Sequence, residues 1–137
     1  MVFQFFNLVP TLTVRENVGL PFLISRQKND DADERVQNVL EQVGIARRAD
    51  HRPYQLSGGE MQLASIARAL AHRPAAILAD EPTGNLDELN TQSVIQMLGM
   101  LVTQSKTTLL VATHSNSFAS RLKSQVILSR GKLSRNV

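Results

Sequence analysis

Two carboxylates and a histidine stand where two predicted strands end. Asp80 and Glu81 directly follow the apolar run 75–79, and His114 follows the run 107–113. Open parallel sheets bind ligands at the carboxyl ends of their strands, so we expect these side chains to meet at one edge. Asp80 could hold Mg²⁺ through water while Glu81 polarises an attacking water molecule. An Asp-Glu-Pro sequence can equally end a strand and begin a turn, and the spacing alone leaves both interpretations open.

The tetrapeptide Ser57-Gly58-Gly59-Glu60 is a second place where chemistry could occur. Its S-x-x-E spacing is a capping box, which predicts that a helix begins there. The start of such a helix supplies free backbone N–H groups, the positive end of the helix dipole and a hydroxyl, and the glycines leave room for a phosphate. Taken alone, the four residues are more typical of an ordinary helix cap with glycines in the turn.

Two helices are predicted before this tetrapeptide. A T-x-x-E capping box at Thr13 begins a short helix that Pro21 should interrupt or end. A clearer helix begins at Asp30 and Asp31, carries one apolar stripe, and is followed by Gly44 as a left-handed stop. The stripe consists of Val36, Val39, Leu40 and Val43.

The second half of the chain alternates helices with short strands, which predicts an α/β layer architecture. The helix after Ser57 has Leu63, Ile66, Ala67 and Leu70 on one face. The runs 75–79 and 107–113 have the apolar character of strands buried on both faces of a parallel sheet. Between them a helix is predicted despite Gly99, and residues 126–133 could form a small hairpin. That helix is marked by Val94, Leu98, Leu101 and Val102.

Composition narrows the class of protein. The chain has 137 residues, 42% hydrophobic and 20% charged, as is typical of a soluble globular domain. No apolar run approaches the roughly 20 residues that span a bilayer, no secretory signal opens the chain, and cysteine is absent. After Glu88 every charged residue is Lys or Arg, but these charges are dispersed without aromatic residues between them. A solvated surface is therefore favoured over a nucleic-acid site.

In chain order the motifs are Phe3-Gln4, then LSGGE at residues 56–60, then AILADEPTGNLD at residues 76–87, then Thr113-His114. This combination closely resembles the ABC ATPase family, and the resemblance covers nearly the whole chain. It identifies Gln4 as the Q-loop glutamine and LSGGE as the signature.

The resemblance implies a role for each of these residues. ATP would be contacted by Gln4, Ser57, Gly58, Gly59 and Asp87, the last in the D-loop. Asp80, as the Walker B aspartate, would bind Mg²⁺ together with Gln4. Glu81 would be the catalytic base, and His114 would be the switch histidine on the γ-phosphate.

The family also implies an architecture. We expect an α/β fold with a P-loop NTPase-like parallel sheet core, partial here because the first strands and Walker A are missing, and an α-helical signature subdomain. Residues 1–137 would form a single partial ABC ATPase domain. The helical subdomain would span approximately residues 7–58, and residues 1–6 and 59–137 would form the partial RecA-like core.

The partners implied are a second nucleotide-binding subunit and integral membrane permease subunits. In a head-to-tail dimer two subunits sandwich two ATP molecules, so Ser57 and Gly59 would act on a phosphate held by the other subunit. The chain would lie in the cytoplasm, peripheral to the inner face of the cell membrane through the permease. No nucleic-acid partner is expected.

Within the family, residues 5–18, the sequence DEPTGNLD and residues 49–53 look like the lipoprotein-releasing and macrolide-export branch. Two positions depart from the family pattern: Met61 replaces arginine or glutamine, and Ser115 replaces the aspartate after the switch histidine. Either change could soften activity, although Met61 could simply pack locally.

A larger departure is the absence of G-x-x-x-x-G-K-[ST], whose N–H groups and lysine bind phosphates. The chain's one Gly-Lys pair, Gly131-Lys132, lacks the preceding glycine. Since this motif precedes the Q-loop in the family, we interpret the chain as truncated before Gln4. We therefore expect apolar surface to be exposed.

Three functions follow as hypotheses. The first is the ATP-hydrolysing subunit of an ABC transporter for export or lipoprotein release, inactive as this isolated chain. The second is a non-catalytic interaction module that keeps the dimer and permease contacts. The third, a soluble ABC ATPase of DNA repair or translation, is disfavoured because no coiled-coil or zinc insertion separates Gln4 from Leu56.

Overall fold

The computed structural model describes residues 1–25 and 30–135. Its elements are α1 (Val14–Ile24), α2 (Ala32–Gln42), α3 (Gly58–Leu70), β1 (Ala76–Asp80), α4 (Glu88–Gln104), β2 (Thr108–Ala112), α5 (Asn116–Ala119), β3 (Val126–Ser129) and β4 (Lys132–Arg135). Two single 3₁₀ turns, Ala46–Arg48 and Pro53–Gln55, join α2 to α3.

Helix α1 begins at the predicted capping box, in which Thr13 and Glu16 each bind the other's backbone N–H. The expectation that Pro21 interrupts or ends this helix is wrong, because α1 continues to Ile24. The proline removes one N–H donor from the helix ladder. Burial of Val14, Val18 and Phe22 on one face holds the helix together across that gap, and the Ser25 N–H bonds to the Pro21 carbonyl beyond it.

Helix α2 follows the predicted pattern closely. All four residues of its stripe, Val36, Val39, Leu40 and Val43, are buried. Gly44 has φ +74°, the left-handed conformation expected of a helix stop. The Gly44 and Ile45 N–H groups bond back to the carbonyls of Glu41 and Leu40, which completes the end of the helix.

Strands β1 and β2 pair in parallel, as predicted, with Ile77 opposite Leu109 and Asp80 opposite Ala112. Val2 extends this sheet beside β1, donating to the Leu78 carbonyl at 2.8 Å and accepting from the Asp80 N–H at 2.9 Å.

Only one face of this sheet is buried, so the prediction of two buried faces is wrong. Ile77 and Ala79 lie in the core, whereas Leu78 is 49% and Leu110 64% exposed. The exposure of Leu78 and Leu110 shows that nothing within residues 1–25 and 30–135 covers the second face. The predicted exposure of apolar surface is confirmed at this face.

Helix α4 forms through Gly99, as predicted, and buries Val94, Ile95, Leu98 and Leu101. The terminal hairpin is also confirmed, since β3 and β4 are antiparallel. Arg130 and Gly131 turn between them with φ of 49° and 74°. This pair of left-handed residues matches the right-handed twist of a two-residue hairpin.

Helix α3 is central to the packing, contacting α1 and α2 on one side and α4 on another. Its residues Ala64, Ile66 and Ala67 are fully buried. The division into a helical subdomain at residues 7–58 and a core in residues 1–6 and 59–137 stays a prediction.

Across the described ranges, no helix is long and apolar enough to cross a membrane.

Candidate functional site

Glu81 and His114 meet at the carboxyl edge of the sheet. Glu81 extends β1 by donating its N–H to the Ala112 carbonyl at 2.9 Å. Its Oε1 accepts from the His114 N–H at 2.8 Å and lies 2.7 Å from His114 Nδ1, while Oε2 accepts from Thr113 Oγ1 at 3.0 Å. Glu81 has φ +43°, an uncommon conformation for a residue with a side chain. The parallel pairing of β1 and β2 thus brings the predicted base and the predicted switch histidine together.

The surroundings of Glu81 favour its ionised form. Partial burial alone would raise its pKa, but the hydrogen bonds from the His114 side chain and backbone and from Thr113 together outweigh burial and lower it. The Glu81 side chain is 21% exposed and that of His114 84% exposed. Glu81 is therefore a sheltered carboxylate, whereas the imidazole stands in solvent.

Gln4 lies against the turn that follows Glu81. Asn85 donates to the Gln4 carbonyl at 2.9 Å, and Gln4 Nε2 donates to Asn85 Oδ1 at 3.4 Å. Gly84 permits this approach, since a Cβ at Gly84 would stand 2.8 Å from Gln4 Nε2. The Gly84 N–H in turn bonds to the Glu81 carbonyl at 3.0 Å. Gln4 and Glu81 therefore border the same turn.

Asp80 is the last residue of β1, on the exposed face of the sheet. Within the described part of the chain its carboxylate makes no hydrogen bond or ion pair, which leaves its oxygens free for a hard cation. No cluster of three or more His, Cys, Asp or Glu able to hold a metal occurs among those residues. Asp80 would need oxygens from a nucleotide or water to complete a magnesium site.

The signature begins α3 with the predicted capping box. Ser57 Oγ accepts from the Glu60 N–H at 3.2 Å, and Glu60 Oε2 accepts from the Ser57 N–H at 2.8 Å. Arg48 Nε donates to Glu60 Oε1 at 2.8 Å. The Ser57 hydrogen bond and then the Arg48 contact lower the pKa of Glu60.

The amides of the signature glycines are available to an anion. Gly58 and Gly59 are the first two residues of α3, so their N–H groups have no helical acceptor. Neither N–H makes a hydrogen bond within residues 1–25 and 30–135, although Gly59 is buried. With the Ser57 hydroxyl proton, they form the donor set that suits a phosphate.

The signature glycines pack on the segment that starts α4. A Cβ at Gly58 would stand 3.5 Å from a Leu86 methyl, whereas one at Gly59 would stand only 2.7 Å from Asn90 Oδ1. Asn90 is itself held by Asp87, the N-cap of α4, through its N–H at 2.8 Å and its side-chain amide at 2.6 Å. These bonds, the backbone one first, lower the pKa of Asp87.

The structure thus groups the sequence-predicted residues in three places along the segment 80–90. Glu81 meets His114, Gln4 meets the turn at Gly84, and the signature meets Asp87 through Asn90. Within the described residues no hydrogen bond or ion pair joins Ser57 to Glu81 or His114. The signature and the carboxylate edge therefore contact different parts of the segment 80–90.

Sequence reasoning placed Thr113 and Asn85 in the motifs without a role, although they bond to Glu81 and Gln4. It missed Asn90, which lies between Asp87 and Gly59. The D-x-x-N spacing of an N-cap was a usable signal for Asn90. Of the two departures from the family pattern, Ser115 caps α5 by accepting from the Phe118 N–H, and Met61 is partly buried on α3.

The chain is similar to known proteins over most of its length. The family model described as ABC transporter matches residues 1–84. The lipoprotein-releasing system ATP-binding protein LolD of Legionella pneumophila strain Lens is 46% identical over 132 residues, and that of strain Paris is 45% identical over 132 residues. Each alignment covers 96% of this chain and 58% of the relative. The chain therefore spans less than two thirds of the length of these relatives.

Two solved structures of the ATP-binding cassette MJ0796 share the fold. A dimeric post-hydrolysis state bound to ADP and Pi superposes with a TM-score of 0.79 at 36% identity. A structure described as a dimeric bacterial ABC transporter cassette superposes with a TM-score of 0.81 at 37% identity. Each match covers 98% of this chain and 61% of the solved chain. The α/β, P-loop NTPase-like fold predicted from the motifs is confirmed.

Proposed function

This chain belongs to the ABC transporter family, and on that premise we propose that it serves as an ATP-binding and ATP-hydrolysing subunit that powers lipoprotein release or a related export at the inner face of the cell membrane. The observation that carries the proposal is the Glu81–His114 pair, 2.7 Å apart where β1 and β2 end. The relatives named for lipoprotein release support the choice of transport process.

Glu81 is suited to act as a general base. Like an ordinary glutamate it is ionised at neutral pH, and its hydrogen bonds from His114 and Thr113 keep its pKa below the usual value. A carboxylate with about four lone-pair sites can still accept a hydrogen bond from an attacking water and so orient it. His114 holds one carboxylate oxygen and exposes most of its ring to solvent. In that place the imidazole can orient the base and reach a phosphate oxygen.

The signature would act on a phosphate that another subunit holds. The Ser57 hydroxyl and the Gly58 and Gly59 N–H groups suit an anion, yet no hydrogen bond joins them to Glu81 or His114 within the described chain. The 137 residues contain no G-x-x-x-x-G-K-[ST] pattern. Gly131-Lys132 lies in the β3–β4 hairpin instead of a strand-to-helix turn. A dimer, as in the similar solved cassettes, would supply both halves of a site.

The residues at the sheet edge also fit Mg²⁺. The Asp80 carboxylate is exposed and unpaired among the described residues, and the Gln4 amide oxygen lies at the neighbouring turn. Both are oxygen ligands of the kind that Mg²⁺ takes together with water and phosphates. When bound, Mg²⁺ would neutralise charge on the phosphoryl oxygens.

A second candidate is a non-catalytic module that keeps the dimer and permease contacts. The exposed apolar face at Leu78 and Leu110, which a partner could cover, favours it. It predicts association with a membrane subunit that does not depend on ATP.

The test is assembly with the similar Legionella ATP-binding protein, which is longer than this chain. We expect a complex on size-exclusion chromatography only with ATP and Mg²⁺. Ser57→Ala should weaken it about tenfold, and Ser124→Ala, at an exposed serine, should not. A complex that forms equally without ATP would support the interaction module, and the absence of any complex would contradict both proposals.

A further inference from the structure

The turn directly after Gln4 has an unusual backbone. Phe6 and Asn7 both adopt left-handed conformations, with φ of 61° and 49°. Asn tolerates this conformation better than most residues with side chains, but a bulky residue such as Phe6 rarely adopts it. The turn's own hydrogen bonds are few: the Phe6 N–H bonds to the Phe3 carbonyl at 3.3 Å, and the Asn7 N–H to the Phe5 carbonyl at 2.6 Å. Contacts from outside the turn must therefore stabilise its conformation.

Arg68 stabilises the turn through two hydrogen bonds. One terminal nitrogen of its guanidinium donates to the Asn7 carbonyl at 2.6 Å and the other to the Phe6 carbonyl at 2.9 Å. Hydrogen bonds from an ionised donor are stronger than neutral ones, and the planar fork fixes two acceptors at once. Arg68 is partly buried, and no carboxylate pairs with it in the described part of the chain. Its guanidinium is therefore committed to these two carbonyls.

Arg68 belongs to the helix that begins at the signature. It lies in α3, whose first turn carries Gly58 and Gly59. The chain beyond the turn is fixed separately, because the buried Asn17 of α1 bonds to the Val9 N–H and to the carbonyls of Val9, Leu12 and Thr13. The left-handed turn itself is therefore held by α3.

We propose that Arg68 is a positioning residue that fixes the turn after Gln4 and makes that turn move together with the signature helix. On this account a displacement of α3, caused by a phosphate at Ser57, is passed to Gln4 through the carbonyls of Phe6 and Asn7. The positioning can be tested in the chain alone. Only the phosphate-driven displacement rests on the function proposed above.

Hydrogen exchange of the free chain tests the positioning. In Arg68→Gln we expect the amides of residues 6 and 7 to exchange at least about tenfold faster, with α4 unchanged. Arg68→Lys keeps the charge without the fork and should give a smaller increase. Arg47→Gln, at an exposed arginine whose side chain makes no hydrogen bond within the described ranges, is the matched control. Unchanged exchange at residues 6 and 7 in both Arg68 variants, or a uniform increase along the whole chain, would overturn the proposal.

The coupling is tested in the ATP-dependent complex with the Legionella relative. In the wild-type chain, assembly should slow exchange at residues 58–61 and also at residues 6 and 7. In Arg68→Gln the first effect should remain and the second should disappear. Persistence of both effects in Arg68→Gln would refute the coupling, as would slowing in the wild type at residues 58–61 alone. Absence of any slowing at residues 58–61 would count against the proposed function and leave the free-chain result standing.

Discussion

Glu81 has two tasks at the scale of single residues. It is the proposed base, and it also ties the ends of β1 and β2 together by accepting hydrogen bonds from Thr113 and His114. A carboxylate that gains hydrogen bonds on folding has a lower pKa in the folded chain than in the unfolded chain. Its proposed chemistry and its contribution to stability therefore depend on the same proton.

The pH dependence of stability should reveal this proton. Since the folded pKa of Glu81 lies below its ordinary value of 4.5, its contribution is fully present above about pH 5 and is lost as pH falls through the folded pKa. We expect the difference in unfolding free energy between wild type and Glu81→Gln to be constant from about pH 5 to 7 and to shrink below about pH 4.5. Urea denaturation at each pH measures it. Glu88→Gln, at an exposed glutamate, is the control, and a pH-independent difference would contradict the account.

The signature glycines should tolerate alanine unequally. A Cβ at Gly59 would stand 2.7 Å from Asn90 Oδ1, so Asn90 or α3 has to shift, whereas the nearest atom to a Cβ at Gly58 is 3.5 Å away. Overpacking of this kind typically costs about 1–3 kcal/mol. We expect Gly59→Ala to lower the unfolding free energy by that amount and Gly58→Ala to change it little. Relief of the loss by Asn90→Ala would identify the contact, and equal stability of the two single variants would argue against it.

At the scale of elements, local patterns and tertiary packing differ in what they determine. The capping boxes of α1 and α3 and the stripe of α2 were predicted, because each depends on residues close in sequence. The parallel pairing of β1 with β2 joins residues far apart in sequence, and it was predicted from the apolar character of both runs and the helix between them. The passage of α1 through Pro21 and the single buried face of β1 were not, since both depend on what packs against the element. Likewise, the meeting of Glu81 and His114 could be predicted from the ends of the two strands, but the role of Arg68 could not. Its acceptors are carbonyls about sixty residues away, which leave no trace in side-chain types.

Two glycines provide a test of helix energetics. Gly99 lies inside α4 with no atom within 4 Å of the place where a Cβ would stand, whereas Gly44 ends its helix with φ +74°. Alanine at an unstrained helix interior gains roughly 0.5–1 kcal/mol over glycine, and at a left-handed position it is strained. Gly99→Ala should therefore raise the melting temperature and Gly44→Ala lower it. A decrease for Gly99→Ala would mean that the space beside α4 is needed by something else.

At the scale of the whole molecule, two features should influence association in solution. They are the exposed face of the sheet formed by β1 and β2, and the uneven distribution of charge along the chain. Leu78 and Leu110 lie in register on the exposed face of β1 and β2. All acidic residues occur at or before Glu88, so the last third of the chain is purely basic. Contiguous apolar surface of this kind marks an interaction site or an aggregation hazard.

Solution behaviour should follow from that face. The double variant Leu78→Thr/Leu110→Thr keeps β-forming residues and removes apolar surface, so we expect less light scattering on warming. Leu133→Thr, at a 73% exposed leucine of the hairpin, is the matched control. Equal scattering by the double variant and the wild type would locate the cause of association elsewhere.

The central claim is that the Ser57 end of α3 completes an ATP site whose phosphate loop belongs to a second subunit. The most direct measurement is ATP turnover by this chain mixed with a variant of the Legionella relative in which the residue aligned with Ser57 has been replaced by alanine. We predict turnover by the mixture, none by either protein alone, and at least about a tenfold loss with Ser57→Ala. Turnover by this chain alone, or a mixture indifferent to Ser57→Ala, would contradict the claim.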